Sequence, residues 1–142
     1  MIIAIRIRGR VGVRKQIADT LALLRLRRKM HAVLLPDNKS IKGMLRVTRD
    51  WLTWGTISDD NLEARLKKRG RKPGNKKLSA DEVKLAIEEI KHGKKISALG
   101  IKPVFRLTPP SGGFKNSIKQ HWPKGELGDR GEKINELLKR MI

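Results

Sequence analysis

The beginning of the chain changes from a strand-like to a helix-like hydrophobic pattern. Across residues 2–8, isoleucine alternates with alanine or arginine, which is the period of a half-buried strand. Ile17, Leu21 and Leu24 then recur at helical spacing within residues 14–29. The pattern predicts a strand whose isoleucine face meets the core and whose other face presents arginine, followed by a helix.

Two more strands and a second helix complete the first part of the chain. Residues 32–35 and 51–57 have the composition of strands, and Ser40 is the predicted N-cap of the helix between them. The apolar residues on one side of that helix are Ile41, Met44 and Leu45. Residues 1–57 therefore predict a small two-layer sandwich, with helices on one face of a three-stranded sheet. The pattern leaves the strand directions open.

The remaining chain, residues 58–142, has a mainly helical pattern. Leu62 and Leu66 share one face of a predicted helix. It runs into a basic segment, residues 66–77, where glycine and proline indicate a loop. We therefore expect a core formed by residues 1–57 and a mostly helical C-terminal extension formed by residues 58–142.

Capping patterns predict two further helices in this extension. Ser79 and Glu82 have the spacing of a capping box ahead of an apolar face formed by Val83, Ile87 and Ile90. Asp129 and Glu132 have the same spacing ahead of a C-terminal helix. Its apolar residues are Ile134, Leu137, Leu138 and Met141.

Charge narrows the choice of partners. The 142 residues include 34 Lys and Arg against 14 Asp and Glu, a formal net charge of +20, so the surface needs an anionic partner. No apolar run approaches the ~20 residues that span a membrane, and the N-terminus lacks the basic leader of a signal peptide. With no cysteine, the chain has no disulfides, and an intracellular location is expected. Nucleic acid is the favoured partner.

The residue types that catalysis needs are scattered. His31, His92 and His121 lack the i, i+3 or i+4 spacing of a helical metal pair. Most carboxylates lie in or just before predicted first helical turns, where capping and the helix dipole explain them. We expect no enzymatic activity, no cofactor, no metal site and no small-molecule substrate.

Known RNA-binding motifs match only weakly. Residues 9–12 have the glycine spacing of a KH-type clamp, but they link a strand to a helix, so their expected role is phosphate contact by backbone amides with Arg10 or Arg14. Trp51 and Trp54 are predicted to pack in the core. For Trp122, stacking on a base and packing inside the protein both remain open.

Basic loops and helix ends therefore supply the predicted RNA contacts. Four cations lie among residues 25–29, in the predicted last turn of the first helix, which exceeds the need of a helix end. Residues 66–77 contain seven Lys or Arg and no acid. The predicted RNA-binding residues are Arg8, Arg10, Arg14, Lys15, Arg27, Arg28, Lys39, Lys42, Lys67, Lys68, Arg69, Arg71, Lys72, Lys76, Lys77, Lys115, Lys119 and Trp122.

Several segments together resemble one known family. In the core these are IRIRGRVGV at 5–13, LRL at 24–26, PD at 36–37 and IKGML at 41–45. In the extension they are KPVFRL at 102–107, PPSGGF at 109–114, GELG at 125–128 and INELL at 134–138. The sequence resembles large-subunit ribosomal protein thirty of bacteria and archaea, called protein seven in eukaryotes.

The two sets of segments indicate which branch of the family is similar. The bacterial version resembles only the core, ending near Ile57, whereas the segments of the extension resemble the archaeal and eukaryotic form. Eukaryotic relatives carry a long basic extension before the first strand. Because Met1 leads directly into that strand here, an archaeal source is expected.

The resemblance implies an α+β fold and a function. The fold would be loosely ferredoxin-like, with two helices on a largely antiparallel three-stranded sheet. The protein would be a non-catalytic constituent of the large ribosomal subunit in the cytoplasm, bound to ribosomal RNA and neighbouring ribosomal proteins. The alternative is a nucleic-acid-binding subunit or an enzyme of RNA processing, against which the scattered histidines and acids argue.

Overall fold

The computed structural model describes residues 1–93 and 95–141, which form a mixed fold of strands and helices. The elements, in chain order, are β1 (Ile2–Arg6), α1 (Lys15–Leu23), β2 (His31–Leu35), α2 (Lys39–Val47), β3 (Leu52–Thr56), α3 (Asp59–Arg69), α4 (Ala80–Lys91), β4 (Val104–Arg106), β5 (Ser117–His121), β6 (Gly125–Asp129) and α5 (Ile134–Arg140). Short 3-10 helices at Ile96–Leu99 and Gly131–Lys133 lie between them.

The strands form one open sheet in the order β4-β2-β1-β3-β6-β5. β1 pairs antiparallel with both β2 and β3, so that Ile3 lies opposite Leu34 and Gly55. β4 adds to β2 in antiparallel fashion, whereas β6 runs parallel to β3 and β5 parallel to β6. The α+β class is confirmed. The prediction of a three-stranded sheet is wrong, because residues 58–142 contribute three of the six strands of a mixed sheet.

The two faces of β1 are covered by different parts of the chain. Ile2 and Ala4 belong to one apolar cluster with the residues of α1 and α2. Ile3, Ile5 and Ile7 are fully buried in a second cluster with residues of α3, α4 and α5. The prediction that helices cover one face is therefore wrong. Both faces of the central strand are packed against other parts of the chain. The face that was expected to present arginine to the partner is therefore buried, and Arg6 is buried with it.

α1 is shorter than its hydrophobic pattern predicts. It ends at Leu23, and Arg25 follows with a left-handed backbone, at φ 62°. The amide of Arg25 donates to the carbonyl of Ala22 at 3.0 Å, and the amide of Leu26 donates to that of Leu21 at 2.9 Å. These are the two hydrogen bonds of a Schellman motif. They turn Leu26 into the core, so the cations expected in the last turn lie in the loop after the helix.

The two helices of residues 39–47 and 80–91 are capped by side chains. The Oδ1 atom of Asn38 accepts the amide of Ile41 at 2.9 Å, so Asn38 is the N-cap and the prediction of Ser40 is wrong. In α4 the capping box of Ser79 and Glu82 is confirmed, with both hydrogen bonds present.

The predicted cap of the C-terminal helix is wrong. Asp129 ends β6, where it lies opposite Trp54 of β3, and its Oδ1 accepts the amide of Gly131 at 2.9 Å. Glu132 lies in the following 3-10 helix, and α5 starts at Ile134 without a side-chain cap. Strand pairing across the sheet thus determines the conformation of a segment whose local pattern resembles a capping box.

Candidate nucleic-acid interface

A strongly basic cleft opens beside the β2–β4 edge of the sheet, with a volume of about 670 Å³. One side is formed by the loop after α1, with Arg25, Arg27 and Arg28. The other basic lining residues come from the extension and are Arg69, Arg71, Lys102 and Arg106. His31 also lines this space, and among residues 1–93 and 95–141 no carboxylate lines it. We call it the cationic cleft.

Strand pairing brings the two sides of the cationic cleft together. His31 of β2 lies directly opposite Arg106 of β4 in the sheet. The amide of Lys102 donates to the carbonyl of Arg71 at 2.8 Å, and its Nζ donates to Oδ1 of Asn75 at 2.7 Å. The β2–β4 pairing therefore holds the extension against the core, and the contacts of Lys102 join two segments of the extension beside it.

The arginines of the cleft have no carboxylate partner in the part of the chain that the structure describes. Arg25, Arg27, Arg28 and Arg106 are exposed, and among the described residues none of their side chains has a hydrogen bond or an ion pair. Arg71 is half-buried, and its guanidinium donates only to backbone carbonyls. Because like charges repel in this space, a bound anion would relieve the repulsion.

The charge of the cleft also affects His31. Burial is the main cause that lowers the pKa of His31, and the nearby positive charges of Arg106, Arg28 and Arg6 lower it further. Both causes favour the neutral form of the imidazole in the free protein.

A buried arginine ties the loop after β1 to the loop after α1. Arg6 is only 3% exposed, and its guanidinium donates to the carbonyls of Arg8 at 2.9 Å, Gly9 at 3.0 Å and Leu26 at 2.8 Å. Burial, and then the charge of Arg10, lowers the pKa of Arg6. This contact places the arginine-bearing ends of both loops at the same end of the sheet.

The structure shows the exposure of every predicted RNA-binding residue. The exposed ones are Arg10, Arg14, Lys15, Arg27, Arg28, Lys39, Lys42, Lys67, Lys68, Lys76, Lys77, Lys115 and Lys119. The half-buried ones are Arg8, Arg69, Arg71, Lys72 and Trp122. Of these predicted residues, the cationic cleft brings together Arg27, Arg28, Arg69 and Arg71, whereas Arg10 and Arg14 do not line it.

Three predicted lysines form ion pairs with carboxylates. Lys42 Nζ lies 3.1 Å from Asp37, Lys67 Nζ lies 2.7 Å from Glu63, and Lys72 pairs with Glu82. The Lys42 and Lys67 pairs are exposed and the Lys72 pair is partly exposed, so each contributes little to stability and phosphate can compete for the lysine.

The predicted loop at residues 66–77 is partly helical. Lys67, Lys68 and Arg69 form the last turn of α3, and Leu66 is fully buried. Only the chain after Gly70 is a turn, closed by a bridge between Arg71 and Lys77. The predicted face of Leu62 and Leu66 is confirmed, but the helix continues through the three basic residues that follow and ends at Arg69.

The tryptophans take part in contacts within the protein. Trp51 is buried, as predicted, and the guanidinium of Arg8 lies 4.6 Å from its ring centre. The guanidinium of Arg130 lies 4.8 Å from the ring centre of Trp122 and forms a buried ion pair with Glu126 at 2.6 Å. One face of Trp122 is thus occupied, and its stacking on a base stays a prediction.

Four ionisable residues of the cleft lie outside the predicted RNA-binding set, and they are Arg25, His31, Lys102 and Arg106. Arg25 belongs to the basic cluster at residues 25–29, whereas the other three have no such local signal. Arg106 follows the buried Phe105 in a short apolar strand, and nothing local shows that this strand pairs with β2. Only that long-range pairing places Arg106 beside His31.

The structure also bears on metal and membrane binding. Among the described residues, no group of three or more His, Asp or Glu side chains could hold a metal ion. Within the same residues, every helix is too short or too polar to cross a membrane.

Comparison with known proteins gives consistent matches. The sequence profile of the family described as ribosomal protein L30p/L7e matches residues 2–52. The chain is 44% identical to large ribosomal subunit protein uL30 of Methanosphaera stadtmanae, with 97% of each chain covered. It is 47% identical to the protein of that name from Nanoarchaeum equitans and 42% identical to that from Archaeoglobus fulgidus, with 96% and 99% of each chain covered.

Proposed function

The chain belongs to the ribosomal protein L30p/L7e family, and we propose that it is a structural constituent of the large ribosomal subunit that binds ribosomal RNA. The relatives carry the name of a large-subunit protein and match both the core and the extension. The observation that carries the RNA-binding part is the cationic cleft, whose exposed arginines have no carboxylate partner among the described residues. Its site of action is the cytoplasmic ribosome, and it is not an enzyme.

The RNA-binding surface includes the cationic cleft and the loops around it. We assign phosphate contacts to the predicted Lys and Arg residues, from Arg8 after β1 to Lys119 in β5, and a base contact to Trp122. Arginine holds phosphate through two parallel hydrogen bonds, and lysine acts as a point charge. Positioning on RNA therefore depends mainly on the arginines of the loops, while the exposed lysines add charge.

The division of the chain into a core at residues 1–57 and an extension at residues 58–142 has a functional meaning in this proposal. The core supplies Arg25, Arg27 and Arg28 to the cationic cleft, and the extension supplies its other side. The two parts therefore form one shared RNA-binding site. The remaining surface is available to neighbouring ribosomal proteins.

Binding to large-subunit ribosomal RNA across a salt series tests this function. We expect log affinity to fall steeply and linearly with log salt, because the protein releases counterions from many phosphates. The protein should also sediment with large subunits through a moderate-salt wash. A flat salt dependence together with free migration of the protein would contradict the proposal.

The alternative, a role as an RNA-processing enzyme or its subunit, is not favoured. The relatives compared above are all named as ribosomal proteins. Incubating the purified protein with labelled RNA should therefore leave the RNA intact. Cleavage that is lost on replacing His31, His92 or His121 would support the alternative.

A further inference from the structure

We propose that the cationic cleft binds a sharp turn of the RNA backbone, where neighbouring phosphates crowd together, rather than the regular surface of a duplex. This inference rests on the proposed function and names the kind of RNA feature that the site takes. It extends the site to Arg25, Lys102 and Arg106, which are not among the RNA-binding residues predicted from the sequence.

The shape of the site is the first reason. A volume of about 670 Å³ is in the range of roughly 300–1,000 Å³ that is typical of pockets for compact ligands. Such a concave space accepts a few nucleotides. A duplex presents its phosphates on a convex surface, which meets the rim of the cleft but does not enter it. A bulged or sharply bent backbone projects its phosphates and can enter.

The arrangement of charge is the second reason. Phosphates that approach one another in a backbone turn repel, so such a turn needs several cations on more than one side. The cleft supplies arginines from the loop after α1 on one side and Arg69, Arg71 and Arg106 on the other. Because the described lining residues include no carboxylate, the cleft matches crowded phosphates better than the single row of phosphates along a duplex.

The residue at the helix end is a third reason. Arg25 has a φ of 62°, a conformation that normally favours glycine at this position of a Schellman motif. A glycine would provide the same turn with less strain, but it would remove a guanidinium from the cleft. The strained backbone thus places a charge at the site.

The lining also indicates recognition of shape rather than of base sequence. The described lining residues include no Phe, Tyr or Trp on which a base would stack, and the apolar part is limited to Pro103 and Val104. RNA proteins that read sequence commonly stack unpaired bases on aromatic side chains. We therefore expect the phosphates of the turn to carry the recognition, with little dependence on which bases it contains.

Two double variants with equal loss of charge test the proposal. Arg28→Gln with Arg106→Gln removes two cations from the cleft. Arg46→Gln with Arg49→Gln removes two exposed arginines that do not line it. The probes are an RNA stem with a bulge that bends its backbone and the same stem without the bulge. Circular dichroism verifies that both variants fold, which is expected because all four side chains are exposed.

The intact protein should bind the bulged stem roughly tenfold more tightly than the regular stem. A difference of this size corresponds to one additional well-placed contact between protein and RNA. The cleft variant should lose this preference and keep salt-dependent binding to both RNAs. The control variant should bind both RNAs more weakly by the same factor and keep the preference. Equal, tight binding of both stems by the intact protein, or a preference that survives in the cleft variant, would overturn the cleft assignment alone. Weak binding of both stems would instead count against the proposed function.

His31 gives a second readout from inside the cleft. Its pKa is lowered by burial and by Arg106 on β4, Arg28 in the loop and Arg6 on β1, while Arg69, Arg71 and Lys102 also line the cleft around it. Phosphates bound there would offset these charges and raise the pKa of His31. His31 should then take up a proton when the bulged RNA binds. The affinity for that RNA should therefore rise as the pH falls from the pKa of His31 in the complex towards its pKa in the free protein. NMR titration of the imidazole measures the shift, and an unchanged His31 pKa in the bulged complex would show that the cleft is empty.

Discussion

Arg25 occupies a backbone position at which glycine is the most common residue. The left-handed conformation of a residue with a side chain is unfavourable by roughly 1–2 kcal/mol. Here it allows the chain to leave α1 at once, so that Leu26 reaches the core beside Leu21. The following arginines then belong to a loop that faces the cleft, and they are not spread around the last turn of a helix.

Replacing Arg25 by glycine should increase the stability of the protein and weaken its binding to RNA. Arg25→Gly relieves the left-handed strain but adds freedom to the unfolded chain, worth roughly 0.5–1 kcal/mol, so the free energy of unfolding should rise by up to about 1 kcal/mol. The same change removes one cleft cation, so RNA affinity and the salt slope should both fall. Denaturant unfolding and a salt titration measure the two effects. Arg25→Ala is the control, since it loses the charge and keeps the strain. If glycine and alanine give equal stability, the strain argument is wrong.

The burial of Arg6 could not be predicted from the alternation of apolar and polar residues in β1. The sequence correctly separates Ile3, Ile5 and Ile7 from Ala4 and Arg6 on opposite faces of β1. It does not show what covers each face. Arg6 is buried because three carbonyls of two loops need a donor there, and these loops come together only in the folded protein.

At the scale of elements, β3 and the end of the chain meet in very close contact. A Cβ atom added to Gly55 would lie 2.0 Å from the carbonyl oxygen of Gly131 and 2.8 Å from the Cβ of Ile134. The backbone of the 3-10 helix cannot move aside as a flexible side chain would. The docking of α5 on the sheet therefore requires glycine at this position of β3.

The variant Gly55→Ala should lower the free energy of unfolding by about 1–3 kcal/mol or more, the usual range for overpacking a core. Gly43→Ala is the matched control, since Gly43 lies within α2 with nothing within 4 Å of an added Cβ. This second change should raise stability by roughly 0.5–1 kcal/mol, because alanine favours the helix. Thermal unfolding of both variants gives the comparison. Similar effects of the same sign would show that the β3–α5 contact is looser than the structure indicates.

Elements with strong local periodicity were predictable, and those that depend on a distant partner were not. The apolar spacing in α1, α2, α3 and α4 indicated each of these helices. β6 has two glycines and two carboxylates among its five residues, Gly125–Asp129, with no alternating pattern. Its extended conformation depends on parallel pairing with β3, where Thr53 lies opposite Gly128. The Oγ1 of Thr53 donates to the carbonyl of Gly128 at 3.1 Å, a contact across 75 positions that local patterns cannot reveal.

At the scale of the whole molecule, the sequence gives the net charge but does not show that cations from distant segments come together in one cleft. A net charge of +20 indicates an anionic partner wherever the cations lie. The cleft requires that β4 pairs with β2 and that α3 ends nearby, which are both properties of the complete fold. The RNA-binding role was therefore predictable, whereas four of the residues around the cleft were not.

The extension should be necessary for the fold of residues 1–57. Ile3, Ile5 and Ile7 are fully buried, mainly against the extension, and burying each is worth roughly 1.5–3 kcal/mol. A fragment of residues 1–57 would expose this apolar row on the central strand, so it should self-associate and lose a cooperative thermal transition. Circular dichroism and sedimentation velocity measure both properties against the complete chain.

Threonine at those three positions tests whether the exposed apolar face, rather than another effect of the truncation, causes the fragment to self-associate. The changes Ile3→Thr, Ile5→Thr and Ile7→Thr retain β-branched side chains that suit a strand but make the face more polar. In the fragment they should reduce self-association, because the exposed row no longer favours contact between copies. In the complete chain the same changes should be strongly destabilising, since each hydroxyl is then buried among apolar side chains. A monomeric, cooperatively unfolding fragment with its isoleucines intact would contradict this account. It would show that α1 and α2 alone stabilise the sheet, and that the extension is needed only to complete the cationic cleft.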